Sequence, residues 1–391
     1  MKTVAILGGG PAGAFAAERL AQAGLKTIVF DEKLAWEKPC GGGLTYKAYH
    51  EYPFLIENDT PKRLVRESGL AAPNAGEVSM TLTHPLVIYS RMDLNNMLLK
   101  RAELSGAMIE KTRVLGLERR DRGWRLRTQN GIAEADYCII ATGARNPLRE
   151  VGTEWSAEDM MTTMGYYVPG SRDRIDIEFL PQLHGYMWVF PRCGHLSVGI
   201  GAKGEPAHSL RKRLESFMDC RGISRHGATF FAHVLPSLHQ TKWQSNRVSG
   251  DGWLAVGDAA GLVDPITGEG LFYAMRSGDL ASRVLLNEFC PPELKPQAYR
   301  EMLARDFALD LEFAAALAHR IFLGKFIFES IPKRMVQFVR RSPRFRILMQ
   351  DLFAGTQPYL TLKGRLLRNL NGTFQEIVVN FLRNRPLPAR S

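Results

Sequence analysis

Several common signatures are missing from this chain of 391 residues. Its five cysteines are scattered and form no CxxC pair, which argues against a disulfide framework or a structural zinc and favours a reducing, cytoplasmic compartment. No stretch of about 18 residues is apolar throughout, so we expect no membrane-spanning helix. The histidines show no metal-ligand spacing and no GxSxG nucleophile elbow occurs, so we assign no metal and no hydrolase site of that type.

What is present is an ordinary globular composition, 45% hydrophobic and 23% charged, with a charge excess confined to one end. Residues 320–391 contain fourteen Lys and Arg against three acids, which accounts for the whole net charge of +11. This segment is either a C-terminal helical layer with a solvated basic face or an amphipathic region lying on an anionic membrane surface. No nucleic-acid-binding motif accompanies the charge, so we expect no nucleic-acid partner.

The first glycine motif is a GxGxxG that begins at Gly8, between a predicted strand at residues 3–7 and a predicted helix at 11–24. A second predicted strand at residues 26–30 ends at Asp31, whose carboxylate can accept hydrogen bonds from a ribose. In such a unit the glycines permit a tight turn and a close approach to a pyrophosphate at the helix N-terminus. The motif therefore predicts dinucleotide binding. The predicted contacts are Gly8, Gly10, Pro11, Ala12, Gly13, Asp31 and Glu32.

A second glycine-rich turn follows a predicted buried strand at residues 253–256. Asp258 there can bind sugar-alcohol hydroxyls, and the start of a predicted helix at residues 269–289 can bring backbone N–H groups to the pyrimidine edge of a flavin. Together with the first motif, this favours FAD as the dinucleotide. The predicted contacts are Gly257, Asp258, Pro265, Gly268, Glu269, Gly270 and Leu271.

Between these motifs the pattern becomes rich in short strands separated by turn signals, which predicts an antiparallel sheet. The predicted strands are residues 164–168, 175–180, 186–190 and 196–200. The fold class is therefore α/β, with a Rossmann-type FAD-binding domain interleaved with an antiparallel substrate domain and followed by a helical C-terminal region. The predicted domains are residues 1–75, 92–155 and 245–300 for FAD, residues 76–91 and 156–244 for substrate, and residues 301–391 for the basic helical region.

Residues 1 to about 290 resemble a known group of flavoproteins. The GxGxxG unit, the Arg-Met-Asp at 91–93, the segment 139–143 and Gly257-Asp258 resemble flavoproteins of the p-hydroxybenzoate hydroxylase fold. Within that fold, the KPCGGG at 38–43 and the YMWVFP at 186–191 are similar to the geranylgeranyl reductase family.

The resemblance implies noncovalent FAD and the reduction of isoprenoid carbon–carbon double bonds, with hydride from the reduced flavin N5. It implies that Asp31 binds the adenosine ribose and that Arg91 and Asp258 lie near the pyrophosphate and ribityl groups. It also places Cys40 near the flavin, and Tyr186 and Trp188 at the substrate cavity, whose floor we expect the strands at 160–201 to form. Further cofactor contacts are expected at Gly42, Gly43 and Gly143.

From the residues alone, other roles for these side chains stay open. Cys40 can be a proton donor, a redox-sensitive contact or a small packed hydrophobe. Tyr186 and Trp188 alternate along one predicted strand, as core residues also do. No second dinucleotide fingerprint occurs, so the reductant is either transiently bound NAD(P)H or a protein electron donor.

We predict an FAD-dependent reductase that saturates the double bonds of a prenyl, geranylgeranyl-type lipid or quinone. The alternative is an FAD-dependent monooxygenase or halogenase acting on an aromatic or polyketide substrate. Residues 141–145 lack the Asp-Gly motif of flavin hydroxylases, and Tyr186 and Phe190 depart from the two-tryptophan motif of halogenases. A flavin-binding protein without turnover, docked on a membrane through the basic segment, is a third hypothesis.

Overall fold

The fold is organised by two large sheets. Most of the predicted cofactor-binding and catalytic residues lie where the two sheets meet. The structure is a computed structural model, and it describes residues 2–148, 150–326 and 328–367. Residues 368–391 of the predicted basic C-terminal region lie outside the described residues.

The strands fall into four sheets. In chain order they are Thr3–Leu7 (β1), Lys26–Phe30 (β2), Gly43–Leu44 (β3), Lys62–Ala72 (β4), Gly76–Tyr89 (β5), Met108–Glu110 (β6), Val114–Arg119 (β7), Trp124–Thr128 (β8), Gly131–Ala135 (β9), Tyr137–Ile140 (β10), Met160–Pro169 (β11), Arg174–Phe179 (β12), His184–Pro191 (β13), His195–Lys203 (β14), Thr229–Pro236 (β15), Ser249–Gly250 (β16), Trp253–Ala255 (β17), Lys325–Phe326 (β18) and Glu329–Ser330 (β19).

The helices connect and cover these sheets. In chain order they are Pro11–Gln22 (α1), Tyr46–Glu51 (α2), Arg91–Leu104 (α3), Ala207–Cys220 (α4), Gln240–Gln244 (α5), Leu271–Leu286 (α6), Lys295–Leu303 (α7), Leu309–Leu323 (α8), Ile331–Arg341 (α9) and Pro343–Ala354 (α10). A further helical stretch covers residues 359–367.

The first sheet is the dinucleotide layer, with strand order β16-β17-β10-β1-β2-β6. All its pairs are parallel except β16 with β17. Its central strands are continuous apolar runs, Thr3–Leu7 and Tyr137–Ile140, as expected where helices cover both faces of a parallel sheet. The carboxyl ends of β1, β10 and β17 therefore lie side by side, which brings the glycine turns that follow β1 and β17 close together although about 240 residues separate them along the chain.

The second sheet has eight strands in the order β15-β11-β14-β13-β12-β4-β5-β3. Its pairs are antiparallel except β12 with β4. The α/β fold class and the antiparallel sheet of the prediction are confirmed. The long hairpin of β4 and β5 was not predicted, and β4 lies in this sheet rather than in the FAD layer, where the predicted boundary at residue 75 would put it. Its alternation of polar and apolar residues is interrupted by a register shift between Val65 and Glu67, which obscures the strand pattern.

The C-terminal helices form a layer on this second sheet. Val336 and Val339 of α9 and Met349 of α10 are buried against apolar residues of β4 and β5. Both helices begin as the prolines suggest, with Pro332 and Pro343 in their first turns and a serine cap before each. The described part of the basic segment thus packs as a helical layer, which is the first of the two interpretations of its composition.

One structural finding bears on membranes. Within residues 2–148, 150–326 and 328–367, no helix combines the length and the hydropathy needed to cross a bilayer.

Candidate functional site

A single cavity of about 860 Å³ runs between the two sheets. The glycine turns after β1 and β17 line one part of it, and apolar side chains of β4, β12, α9 and α10 line another. The predicted site residues that line it are Gly8, Gly10, Pro11, Ala12, Asp31, Cys40, Gly42, Gly43, Arg91, Gly143, Tyr186, Trp188, Asp258, Gly268, Glu269, Gly270 and Leu271. The topology therefore gathers side chains from five distant segments into one space.

The first glycine turn depends on residues without a side chain, both for helix packing and for space beside the turn. Gly8 has φ +117°, and a Cβ built on Gly13 would lie 1.9 Å from the carbonyl oxygen of Gly8, so α1 packs directly on the turn. At Gly10, by contrast, a Cβ would meet no atom of the described residues within 4 Å. Gly10 is also the N-cap of α1 and supplies no side-chain cap, so the first N–H groups of the helix face the cavity. This turn fits a pyrophosphate.

Asp31 stands at the end of β2 with its carboxylate fixed by the backbone. Its Oδ2 accepts a hydrogen bond of 2.6 Å from the Gly9 N–H, and its Oδ1 accepts from the N–H groups of Lys33 and Leu34 at 2.7 and 2.8 Å. Oδ1 thus accepts two bonds already, whereas Oδ2 can accept a further one, so Asp31 can hold a ribose hydroxyl through Oδ2. The neighbouring Glu32 is exposed instead, and its carboxylate lies 3.8 Å from Arg113 outside the cavity.

Charged groups line the next part of the cavity. Lys38 Nζ lies 3.1 Å from Asp258 Oδ2. Burial opposes the ionisation of Asp258, but Lys38 and Arg91 outweigh it and hold the pKa of that carboxyl below its usual range. Arg91 is 4% exposed, and its Nε has no hydrogen-bond partner among the described residues. An orphaned guanidinium nitrogen in a cavity wall fits an anionic ligand such as the pyrophosphate of FAD.

The loop that leads into α6 forms the far wall of the flavin part. Gly268 has φ +69° and its N–H donates to the Asp264 carbonyl at 2.9 Å, while Glu269 Oε1 accepts from the Phe272 N–H at 2.9 Å. The Tyr186 hydroxyl donates to the carbonyl of Thr267. The second sheet therefore contacts the flavin loop directly, through a residue that we predicted on the substrate side.

The remaining predicted cofactor residues do not line the cavity: Glu32 is exposed, and the other three are packed behind the wall. A Cβ on Gly257 would lie 3.1 Å from the Ala12 side chain and 3.3 Å from that of Ala274, so this glycine lets α1 and α6 approach each other. Pro265 is buried within the loop. Gly13, Glu32, Gly257 and Pro265 are the predicted cofactor residues that do not line the cavity. Gly13 and Gly257 serve helix packing, which is one of the roles expected for glycines in these motifs.

The KPCGGG loop is anchored by a residue that sequence analysis missed. Arg192, directly after the YMWVFP motif, is fully buried and forms an ion pair with Glu37. It also donates to the carbonyl of Cys40 and, at 3.3 Å, to that of Gly41. Burial opposes the ionisation of Glu37, but Arg192 and the Ser90 hydroxyl outweigh it and lower the pKa of Glu37. An arginine that directly follows an aromatic strand motif has no sequence feature that would identify it as a buried anchor.

Glu37 also connects the KPCGGG loop to the FAD layer. Its carboxylate accepts from the N–H groups of Arg91 and Met92, at 3.0 and 3.3 Å, and so binds the N-terminus of α3. One ion pair thus joins β13, the glycine-rich loop and the helix that carries Arg91.

Cys40 lies in the cavity wall, where its Sγ accepts a hydrogen bond of 3.3 Å from the Gly42 N–H. Its carbonyl accepts from the Ser197 hydroxyl at 3.1 Å, and the Trp188 indole N–H donates to the same hydroxyl at 3.3 Å. Tyr186 and Trp188 meet edge to face with ring centroids 6.3 Å apart. The predicted catalytic residues therefore share one cavity wall, and Tyr186 contacts both the flavin loop and the apolar cluster of the second sheet and the C-terminal helices.

Polar residues around the predicted contact Glu269 were also missed, namely Asp264, Tyr359 and Lys47. Burial raises the pKa of Glu269 to about 7, and the nearby Asp264 adds to the shift. The Tyr359 hydroxyl donates to Asp264 Oδ2 at 2.8 Å, which ties the C-terminal helix to the flavin loop. Lys47 Nζ lies 4.6 Å from the ring centroid of Phe272, and burial lowers the pKa of this amine. Asp264, Tyr359 and Lys47 come from separate elements, so no local spacing in the sequence identifies them as parts of one site.

Fold and site together define an FAD-dependent oxidoreductase. Residues 2–163 match the family described as pyridine nucleotide-disulphide oxidoreductase. This match covers the glycine turn, Asp31 and Arg91, the part of the chain in which the cradle for the dinucleotide is built.

Three similar proteins show which FAD-dependent oxidoreductases this chain resembles. A menaquinone reductase from Mycobacterium tuberculosis is 29% identical over 362 residues, covering 82% of this chain and 85% of the relative. A chloroplastic geranylgeranyl diphosphate reductase from Arabidopsis thaliana is 27% identical, covering 72% of this chain and 65% of the relative. A crystal structure of a geranylgeranyl bacteriochlorophyll reductase-like protein from Thermoplasma acidophilum superposes with a TM-score of 0.77 at 22% identity, covering 94% and 99% of the two chains. The predicted resemblance to geranylgeranyl reductases is confirmed.

The same fold also serves other flavoenzymes. A flavin-dependent brominase superposes with a TM-score of 0.67 at 17% identity, covering 90% of this chain and 93% of the other. At that identity the likeness concerns the fold alone.

Proposed function

We propose that this protein is an FAD-dependent reductase that saturates carbon–carbon double bonds of a prenyl lipid or prenylated quinone. One observation carries the proposal: one continuous cavity is lined by the glycine turns, by Cys40, Tyr186 and Trp188, and by a large set of apolar side chains. Such a shape suits a long apolar substrate with one reacting bond beside the flavin. The names of the similar reductases point to the same class of substrate.

The chamber is built to exclude water around such a chain. Its walls are aromatic and aliphatic side chains of β4, β12, β18, α9 and α10. They include Leu70, Ile177, Phe179, Phe326, Met335, Phe338, Phe345, Met349, Leu352 and Phe353. An isolated alkene offers no heteroatom to polarise, so holding it in place must supply much of the rate, for which intramolecular reactions allow about 7–11 kcal/mol.

FAD, when bound, supplies the hydride, and this chain's residues bind, orient and protonate. Asp31 would hold the ribose, and Arg91 with the N-terminus of α1 would hold the pyrophosphate. The loop at residues 264–270 would face the flavin ring, with Tyr186 fixing that loop to the substrate sheet. The reductant stays a prediction: transiently bound NAD(P)H or a protein electron donor.

Cys40 is our candidate for the group that protonates the second alkene carbon. Its thiol lies in the cavity wall, and its backbone is held by Arg192 and Ser197 from the substrate sheet. A thiol positioned in this way can deliver a proton to a carbon that the apolar walls hold in place.

The first experiment is anaerobic single turnover. The FAD-loaded protein is reduced, mixed with a prenylated quinone or geranylgeranyl lipid without oxygen, and followed at the flavin absorbance. We expect substrate-dependent reoxidation and a saturated product by mass spectrometry. Reoxidation that requires oxygen in stoichiometric amounts would contradict the reductase and support a monooxygenase.

The second experiment tests Cys40 in the same assay. Cys40→Ser should slow flavin reoxidation about 100-fold, a typical contribution of a general acid, while FAD content stays normal. The matched control is Cys220→Ser, which changes an exposed free cysteine on α4. A Cys40→Ser protein with wild-type rates would return Cys40 to a packing role.

One observation favours a second candidate, an FAD-dependent halogenase or monooxygenase of an aromatic or polyketide substrate. Lys47 is a lysine in the cavity wall with a lowered pKa, which the sequence analysis did not identify. In the halogenase hypothesis Lys47 is the lysine that catalyses halogenation. Lys47→Met should therefore abolish halogenation of an aromatic probe with bromide and oxygen. It should leave anaerobic alkene reduction within about threefold, so the variant separates the two functions.

A further inference from the structure

The connection between α8 and α9 is a short hairpin that carries an aromatic side chain in water. β18 and β19 pair antiparallel, Lys325 with Ser330 and Phe326 with Glu329. Phe328 follows at the turn with φ +64° and a side chain that is 97% exposed. A bulky residue in the left-handed region costs free energy, and burial of its ring within the chain does not offset that cost.

The hairpin is held in place rather than loosely attached. The Ile331 N–H donates to the Gly324 carbonyl at 3.0 Å and closes the base of the hairpin. Arg334 of α9 donates from Nε to the Phe326 carbonyl at 3.3 Å. Lys333 pairs with Glu329 at 2.8 Å. The exposed ring of Phe328 is therefore presented by a defined scaffold.

Other apolar and basic residues lie near Phe328 along the chain. Leu323 is 38% exposed and Phe326 is 40% exposed. Between Arg320 and Arg346 the sequence contains eight basic residues and one acidic residue, Glu329. We call Leu323, Lys325, Phe326, Phe328 and Lys333 the hairpin surface. Lys325 is exposed as well, so this surface presents an aromatic ring, two further apolar side chains and a cation, which match an interface of apolar tails below anionic headgroups.

The hairpin surface also adjoins the substrate chamber. Phe326 is exposed on one side and lines the cavity, as do Ile331 and Arg334 at the start of α9. The apolar end of the cavity and the hairpin surface thus share a side chain. The hairpin surface therefore lies beside a part of the cavity that is lined by apolar side chains.

We infer that the hairpin surface docks on an anionic lipid bilayer, with Phe328 inserted among the acyl chains and Lys325 among the headgroups. The docked orientation places the apolar end of the cavity against the membrane. This sharpens the membrane hypothesis drawn from composition, because it assigns the contact to the hairpin surface rather than to the whole basic segment.

The test is cosedimentation of the full-length, FAD-loaded protein with vesicles of phosphatidylcholine alone or mixed with phosphatidylglycerol. We expect binding to the mixed vesicles that falls as salt is raised. Phe328→Ser should weaken that binding about tenfold, as for one partly buried aromatic side chain, and Phe328→Trp should retain it. Lys325→Glu should weaken binding to mixed vesicles by about fivefold.

Matched controls separate this surface from general stickiness. Phe289→Ser removes a ring that is 98% exposed but lies between Glu288 and Glu293, and it should bind like the wild type. Lys212→Glu changes an exposed lysine of α4 and serves as the charge control. Normal FAD content and melting temperature would show that each variant folds.

Three results would overturn the inference. Wild-type binding by Phe328→Ser is one, and equal binding to neutral and anionic vesicles is another. The third is a dimer of the wild type in sedimentation velocity that Phe328→Ser dissociates, which would make the surface a contact between copies. Vesicle binding is measured without turnover, so its failure would leave the proposed reduction untouched.

Discussion

The two halves of the cavity are built by different means. The flavin half is built mainly from backbone, with glycine turns and a helix N-terminus, and adds a few charged side chains such as Asp31, Arg91 and Asp258. The apolar half consists of side chains from a hairpin, two further strands and two C-terminal helices. A backbone site tolerates little change at a few positions, whereas a side-chain site can be reshaped one residue at a time. The difference suggests that cofactor binding is fixed in this fold and that substrate choice is adjustable.

Gly13→Ala breaks the backbone half most completely. A Cβ at this position would lie 1.9 Å from the Gly8 carbonyl oxygen, a distance that no rotamer relieves. We expect loss of bound FAD and a large fall in melting temperature. Gly10→Ala is the matched control, since among residues 2–148, 150–326 and 328–367 its Cβ meets no atom within 4 Å. It should keep the wild-type melting temperature without ligand while weakening FAD affinity. Normal FAD content in Gly13→Ala would contradict the role of this turn.

Arg192→Met breaks the junction between the halves. Removing one partner of a buried ion pair typically costs about 3–5 kcal/mol, because the other charge is left unpaired. We expect a lower free energy of unfolding and slow alkene-dependent flavin reoxidation, since the Cys40 carbonyl loses one of its two donors and keeps only Ser197. The double variant Arg192→Met/Glu37→Gln should recover part of the stability but not the rate. Recovery of both would show that Arg192 serves folding alone and does not position Cys40.

The same division explains what the sequence could predict. The βαβ unit, Asp31, Asp258 and the loop into α6 follow local spacing rules, and their positions in the cavity agree with those rules. Arg192, Glu37, Lys47 and Tyr359 do not, because each acts through a partner more than 80 residues away, and only the fold brings the partners together. The hairpin of β4 and β5 was missed for a local reason, the register shift that interrupts its alternation.

Leu352→Trp reshapes the apolar half without touching the flavin half. Leu352 is partly buried in α10 and lines the cavity, so a larger ring would shorten the chamber. We expect kcat/KM for a long prenyl chain to fall about tenfold, the cost of one or two displaced methylene contacts, while a short chain is unaffected. Ile347→Trp on the same helix is the control, because Ile347 is 52% exposed. Equal losses for long and short chains would contradict a chamber that measures chain length.

The smallest expected effect concerns a charge at the border of the two halves. Burial raises the pKa of Glu269 to about 7, above the ordinary value of 4.5. Between these two values the folded protein binds a proton that the unfolded chain releases, so this group makes stability fall as pH rises from 4.5 to 7. Glu269→Gln stays neutral and should lack that slope. Melting temperatures of both proteins from pH 4.5 to 8 should therefore differ most above pH 7, by a few degrees in favour of the variant. Parallel curves across this range would mean that Glu269 is ionised throughout, and that solvent or Lys47 reaches its carboxylate more closely than the burial of this site implies.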